Sequence, residues 1–354
     1  MEQKIKVAVI GTGEIATKVR IPAYFSNKHV DLVGLVDLDL KRAERTAKKF
    51  GIDKFFRSID ELLAKQDVDA VSICTPPQTH ADLILEAIGH DVHVLCEKPM
   101  ANDLEKGRKV FDICKAENKI LMVSSYRRFV SYFQKARELL LKGTLGHVWC
   151  IEDIQLSSSP LLTWGKSPWY YSTEGGGVLF DLGPHFIDIL NYLYGDFPIA
   201  VSAHGSTYLD SPVEEYSVCT LEFPEGRAGV GIMSWLSSPT IETTSIYGTA
   251  ATLQASPKLF LEINRIDIPE VSLWREITLR LINLKFGSFL SLGNAAEKNV
   301  DPMQRETDYF IEQIRQNRTF SDSSLNALNV LITIDSAKKS LREGRRIEIS
   351  CLRQ

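Results

Sequence analysis

The chain has 354 residues, 44% of them hydrophobic and 24% charged, with a formal net charge of -4. That length can hold two domains with sizeable cores, and the slightly acidic balance gives no reason to expect a nucleic-acid partner. Six scattered cysteines (Cys74, Cys96, Cys114, Cys150, Cys219 and Cys351) with no Cys-x-x-Cys pair indicate neither a metal site nor a disulfide framework.

Strand-like sequence starts straight after Met1-Glu2-Gln3 with no apolar signal region, so a cytoplasmic protein is expected. Ile5, Val7, Val9 and Ile10, with Ala8 between them, read as a strand buried on both faces of a parallel sheet. Gly11-Thr12-Gly13-Glu14-Ile15-Ala16 follows. In a dinucleotide fold the first glycine makes the tight turn and the second lets backbone approach a pyrophosphate. A small third residue, here Ala16, then lets helix and strand pack closely. The helix opening there, expected to stop near Pro22, aims free N–H groups and its positive dipole end at phosphate. A second strand, Val30 to Val36, ends at Asp37, where an acid should meet the adenosine ribose. NAD is the expected cofactor, bound by Gly11, Thr12, Gly13, Glu14, Ile15 and Asp37. Lys41 and Arg42 keep NADP open.

Further along, Lys41 to Phe50 reads as a helix closed by Gly51, and Asp60 to Ala64 as a helical turn. Ala70 to Cys74 is a buried strand running into Thr75-Pro76-Pro77. Ligands of doubly wound sheets lie beyond the carboxyl ends of strands, so Thr75, Pro76 and His80 should border the cofactor. For His80 a helix-start residue satisfied by backbone is an equal alternative. Helix Ala81 to Gly89 and strand Val92 to Leu95 lead to Cys96-Glu97-Lys98-Pro99-Met100.

That strand with its Glu-Lys-Pro resembles the Gfo/Idh/MocA oxidoreductases, the glucose-fructose oxidoreductase and inositol dehydrogenase group. The resemblance implies an N-terminal Rossmann domain, residues 1–125, and a C-terminal α+β domain with a large, mostly antiparallel open sheet, residues 126–354. It implies that Glu97 and Lys98 border the cofactor, that Lys98 also reaches the substrate hydroxyl, and that the Lys98-Pro99 bond is cis. A partly desolvated lysine at a strand end can stabilise a developing alkoxide.

Helix Leu104 to Asn118 and strand Ile120 to Ser124 complete the nucleotide half. Tyr126 and Arg127 are then expected in the cleft wall, with Arg128 able to replace Arg127. After a helix, Tyr132 to Lys142, and a strand, Gly146 to Gln155, comes an aromatic loop with Trp164, Trp169, Tyr170 and Tyr171. Its flat rings, Trp169 among them, suit either a sugar pocket or packing between domains.

Gly175 to His185 resembles the family's glycine-rich loop and its helix with aspartate and histidine four apart, a spacing that puts Asp181 and His185 on one helical face. Alcohol oxidation needs a base whose pKa lies near working pH, and histidine suits that task. By resemblance His185 is the base and Asp181 orients it and contacts substrate hydroxyls. Pro184 is placed at the helix start, and Asp188 is read as a buried structural partner.

Several of the five strand-length runs between Ala200 and Ala255 alternate apolar and polar residues, as an antiparallel sheet covered on one face would. In the family the open face of that sheet joins subunits, so a homodimer or homotetramer is expected. Leu273 to Leu292 departs from the pattern. It is too charged for a membrane span and is expected to pack on another subunit or cover the cleft. Helices Pro302 to Gln316 and Ser323 to Glu343 and a last strand, Arg346 to Ser350, close the chain. The expected activity is NAD(P)-dependent oxidation of a hydroxyl on a sugar, cyclitol or related polyol. The alternatives are a reductase of an unrelated carbonyl or imine and a non-catalytic sensor on the same fold.

Overall fold

The computed structural model describes residues 3–158, 168–173, 176–209, 211–257, 262–265, 301–318 and 322–353. The run from Leu273 to Leu292 lies outside them. The first half is a parallel sheet of six strands, β1 (Ile5–Ile10), β2 (Val30–Val36), β3 (Phe55–Phe56), β4 (Ala70–Ile73), β5 (His93–Cys96) and β6 (Leu121–Val123), in the order β3-β2-β1-β4-β5-β6. Strand order reverses between β1 and β4, which opens a crevice beyond their carboxyl ends. The crossover helices are α1 (Ile21–Ser26), α2 (Leu40–Phe50), α3 (Ile59–Lys65), α4 (His80–Gly89) and α5 (Leu104–Ala116). Three begin at an expected kind of side-chain cap: Asp39, Ser58 and Asp103 each accept from backbone N–H groups of the first turn.

One boundary differs from the sequence reading. The first helix does not stop at Pro22; a π-helical turn, Ala16–Arg20, runs into α1 with Pro22 in its opening turn. Helical structure therefore runs unbroken from Glu14 to Ser26, and the wider π turn, with Ile21 N–H bonded to Ala16 O, sits where the proline removes a backbone donor from the ladder.

The second half is a sheet of eight strands: β7 (Val148–Leu156), β8 (Ala200–Ser206), β9 (Tyr216–Glu222), β10 (Ala228–Ser234), β11 (Ile241–Gly248), β12 (Ala251–Ala255), β13 (Glu262–Arg265) and β14 (Ile347–Glu348). Their order is β13-β12-β11-β7-β10-β9-β8-β14, antiparallel except for the parallel β7–β10 pair. Helices α6 (Ser131–Leu141), α7 (Val178–Asp181) and α8 (Gly183–Tyr194) belong to this half. On the inner face Gly229 and Gly231 of β10 face Leu190 and Phe186 of α8, which lets helix and sheet approach closely. The outer face carries Ile154, Val218, Val230 and Ile232 at its centre, all half-buried, with exposed Thr220 and Glu222 towards one end.

The chain then returns to the elements of the first sheet. Helix Pro302–Arg315 seats Glu306 and Thr307 against Arg20, and helix Asp322–Glu343 packs on both α5 and β8. Arg20 has no exposed surface. It meets Glu97 at 2.7 Å and Glu306 at 2.7 Å and donates to Ser124 and Thr307. Glu306, equally buried, also accepts from Ser124 Oγ and Ser125 N. Burying an arginine this deeply is tolerated only because each donor has an acceptor. No helix among the described residues is long and apolar enough to cross a membrane.

Removing one member of such a buried set strands the others. Arg20→Met is expected to lower the unfolding free energy by about 3–5 kcal/mol, read as a fall in the urea midpoint. Lys48→Ala, which breaks an exposed pair with Glu44, should leave that midpoint where it is.

Candidate active site

The cofactor end of the crevice starts at the end of β1. Gly11 has φ 87°, and a Cβ there would lie 2.9 Å from the backbone of Cys74 and from Thr75, so only glycine fits. A Cβ on Gly13, by contrast, would meet nothing within 4 Å, which leaves open space beside the loop. Thr12 turns back to Asp37, its N–H at 2.9 Å and its hydroxyl at 2.6 Å from Oδ2. This glycine cradle, the helix start at Glu14 and the carboxylate at the end of β2 together fit a dinucleotide. Glu14 itself points outward and pairs with Lys18.

Asp37 has an unexpected partner. Arg42, on α2, holds both its oxygens, Nη2 to Oδ1 at 2.7 Å and Nε to Oδ2 at 2.9 Å, and Asp39 N–H adds a further bond to Oδ1. Burial pushes the carboxyl pKa up, but the bonds from Arg42, Thr12 and Asp39 outweigh it and hold the group at about 2. A carboxylate has about four lone-pair sites, so Asp37 has none left for a further donor while Arg42, half exposed, stays on it.

Beyond β4 and β5 lie Thr75-Pro76 and Glu97-Lys98-Pro99, and the Lys98-Pro99 bond is cis. His80 does not face the crevice. It has no exposed surface, with Nδ1 at 2.7 Å from Pro99 O and Nε2 at 2.8 Å from Thr75 O. It therefore takes the backbone-satisfied alternative and ties the two loops together from behind. Glu97 likewise turns inward to Arg20.

Lys98 crosses to the second half. Its Nζ lies 2.8 Å from Asp181 Oδ1 and 2.8 Å from Asp181 O, and both side chains are mostly buried. Asp181 ends the short helix α7, whose start is fixed by Glu214: its backbone O accepts from Val178 N and its Oε1 from Leu179 N. Gly177, at φ 95°, would press a Cβ into that carboxylate at 2.4 Å, which explains the glycine before the helix. The second oxygen of Asp181 accepts from Trp235 Nε1 at 3.2 Å. Trp235 is fully buried, with Tyr170 and Tyr171 edge-on against it. The two tyrosines thus serve packing; the side chain of Trp169 lies outside the described residues.

Asp181 and His185 are not on one continuous helix. α7 ends at Asp181 and α8 starts at Gly183, with Pro184 in its first turn as expected. Leu182 keeps helical angles at the junction, so the four-residue spacing still carries His185 round to the same region. The His185 ring stacks edge-on with Tyr126 at 5.3 Å. Its basicity is held well below the ordinary histidine value, first by burial, then by the charges of Lys98 and Arg127.

Arg127 is corrected from a cleft-wall residue to an interior one. Its guanidinium forks onto Asp153 at 2.9 and 2.7 Å, and Asp153, fully buried, also accepts from Gln155 and Thr244. An unpaired guanidinium facing a polar cleft loses to a bidentate buried carboxylate. Arg127 stays close enough to reach His185 O at 3.4 Å. Arg128 is engaged too, with Asp188, which also binds Ser125 and Asn326 and so has the structural part expected of it. Of the anticipated residues, Lys98, Asp181, His185 and Tyr126 converge. Arg20, Asp153, Glu214 and Trp235 had not been singled out.

Residues 5–125 match the family described as an oxidoreductase family with an NAD-binding Rossmann fold, and residues 133–254 match the GFO/IDH/MocA C-terminal domain. The chain is 30% identical over 204 residues to a D-glucoside 3-dehydrogenase of Escherichia coli (strain K12), covering 58% of each chain. It is 31% identical over 209 residues to an inositol 2-dehydrogenase of Rhizobium meliloti (strain 1021), covering 59% of this chain and 61% of that one. The matches thus span about three fifths of these two relatives. In three dimensions it superposes on levoglucosan dehydrogenase, solved with NADH and levoglucosan, with a TM-score of 0.83 at 19% identity, over 98% of this chain and 100% of the other. Because matches to both of its domains run in sequence along one chain, the protein belongs to the Gfo/Idh/MocA oxidoreductase family.

Proposed function

We propose that the protein is an NAD-dependent dehydrogenase that oxidises a hydroxyl of a sugar, cyclitol or related polyol derivative to a ketone. The observation that carries this reading is the Lys98–Asp181 pair bridging the two halves, close enough to His185 for its charge to act there. Gly11, Thr12, Gly13 and Asp37 would hold the dinucleotide, with Thr75 and Pro76 bordering it. When bound, the cofactor supplies the acceptor for the hydrogen lost from carbon. Lys98 holds the substrate oxygen with a fixed positive charge and favours its alkoxide form. His185 takes the hydroxyl proton on a ring nitrogen, which is free for it because the ring stays neutral well below its ordinary pKa.

A base works only in its neutral form, so the rate should fall as pH drops through the His185 pKa. Burial and the two neighbouring cations move that limb below the ordinary histidine value of 6.5. His185→Ala should lower kcat by roughly 10²–10⁴-fold with little change in NAD affinity, and should abolish the limb. Lys98→Ala should do similar damage. Wild-type turnover of a polyol by the His185 variant, limb intact, would reject the assignment.

Cofactor preference is expected to favour NAD, since Asp37 repels a 2′-phosphate. Arg42→Ala frees the carboxylate for the ribose and removes a cation that could meet the phosphate. It should therefore widen the preference by about tenfold, and tighter NADP binding to either form by calorimetry contradicts the idea.

The half-buried apolar centre of the outer sheet face supports a homodimer or homotetramer joined there. A monomer mass by light scattering at micromolar concentration is the contrary result. Six unpaired thiols support a cytoplasmic location.

A further inference from the structure

We propose that Trp235 is a positioning residue of the reaction, acting through its indole N–H on Asp181 and through Asp181 on the ammonium group of Lys98. The inference rests on the reading that Lys98 and Asp181 belong to the reacting centre. Trp235 follows directly on β10, and its backbone N–H is tied to Glu215 O at 2.9 Å. Its ring has no exposed surface and meets two rings edge-on, Tyr170 at 6.0 Å and 84° and Tyr171 at 5.8 Å and 67°. The direction of the N–H is therefore set by packing before any substrate arrives.

That N–H meets Asp181 Oδ2 at 3.2 Å, while Lys98 holds Oδ1 at 2.8 Å. The carboxylate is gripped at both ends, and rotation that relieves one bond breaks the other. An indole nitrogen donates and never accepts. Asp181, so fixed, in turn holds the Lys98 ammonium group in place. A benzene ring would fill much of the same space among the tyrosines, so packing alone does not call for the nitrogen.

The test is Trp235→Phe, Asp181→Ala and the double variant. Trp235→Phe should lower kcat by about 10–100-fold, the worth of one hydrogen bond to a charged group. Cofactor affinity should stay as it is. In the Asp181→Ala background the same change should cost less than about twofold, because the acceptor is already gone. A structural Trp235 would cost the same in both backgrounds. Independently of activity, the ¹⁵N-labelled protein should show five indole resonances, one for each tryptophan. The one missing in Trp235→Phe should move upfield in Asp181→Ala; failing a folded Trp235 variant, one indole signal should shift on loss of Asp181 while the others hold still.

Equal costs in the two backgrounds, or no indole signal that responds to Asp181, overturn the proposal and leave the Lys98–Asp181 reading intact. Wild-type turnover by Asp181→Ala alone overturns both.

Discussion

The ion pair between Lys98 and Asp181 is the contact on which the rest of the site depends, because each partner comes from a different half of the protein. Lys98 stands at the carboxyl end of a strand in the parallel sheet, and Asp181 ends a four-residue helix above the second sheet. A helix that short has no stability of its own. It keeps its place because Glu214 caps its first turn, Lys98 binds its last carbonyl and carboxylate, and Leu182 joins it to α8. The pair is as much a structural seam as a piece of chemistry.

Around that seam the charges are arranged so that cations outnumber free anions near His185. Lys98 and Arg127 both act on the imidazole, while Asp153, which could offset them, is taken up by Arg127, Gln155 and Thr244. Burial works in the same direction as the cations. The ring is thereby kept as a proton acceptor, although a histidine beside a carboxylate would ordinarily become a stronger base and stay charged. The two oxygens of Asp181 are directed to Lys98 and Trp235.

Sequence reading reached some of this and not the rest, for physical reasons. The strand Ile5–Ile10, its glycine turn and Asp37 are local patterns, and period and spacing suffice to see them. Lys98, Asp181 and His185 were visible through the resemblance, since neither their separation nor their neighbours says that they meet. Arg20 and Glu306 lie 286 residues apart and Trp235 and Asp181 54 apart, and a buried arginine reads in sequence as one more surface charge. Arg127 was misplaced because its partner, Asp153, sits in a strand whose alternation puts a carboxylate on the inward face. The parallel β7–β10 pair was equally hidden, since alternation reveals which face a residue takes but not the direction of its neighbour.

The return of helix Pro302–Arg315 to the first half bears on how the chain is made. A ribosome that has released residues up to 125 has finished all six strands of the parallel sheet, yet Arg20 then has only Glu97 to balance it; Glu306 and Thr307 do not yet exist. Domains generally fold as units from the N-terminus during synthesis. Here the first unit must wait for a helix made much later, holding a half-paired cation in its interior until Pro302–Arg315 emerges. The interior behind that sheet is therefore settled only once residues 306 and 307 have emerged, and a chain truncated before residue 306 would carry the strands of a nucleotide-binding domain without it.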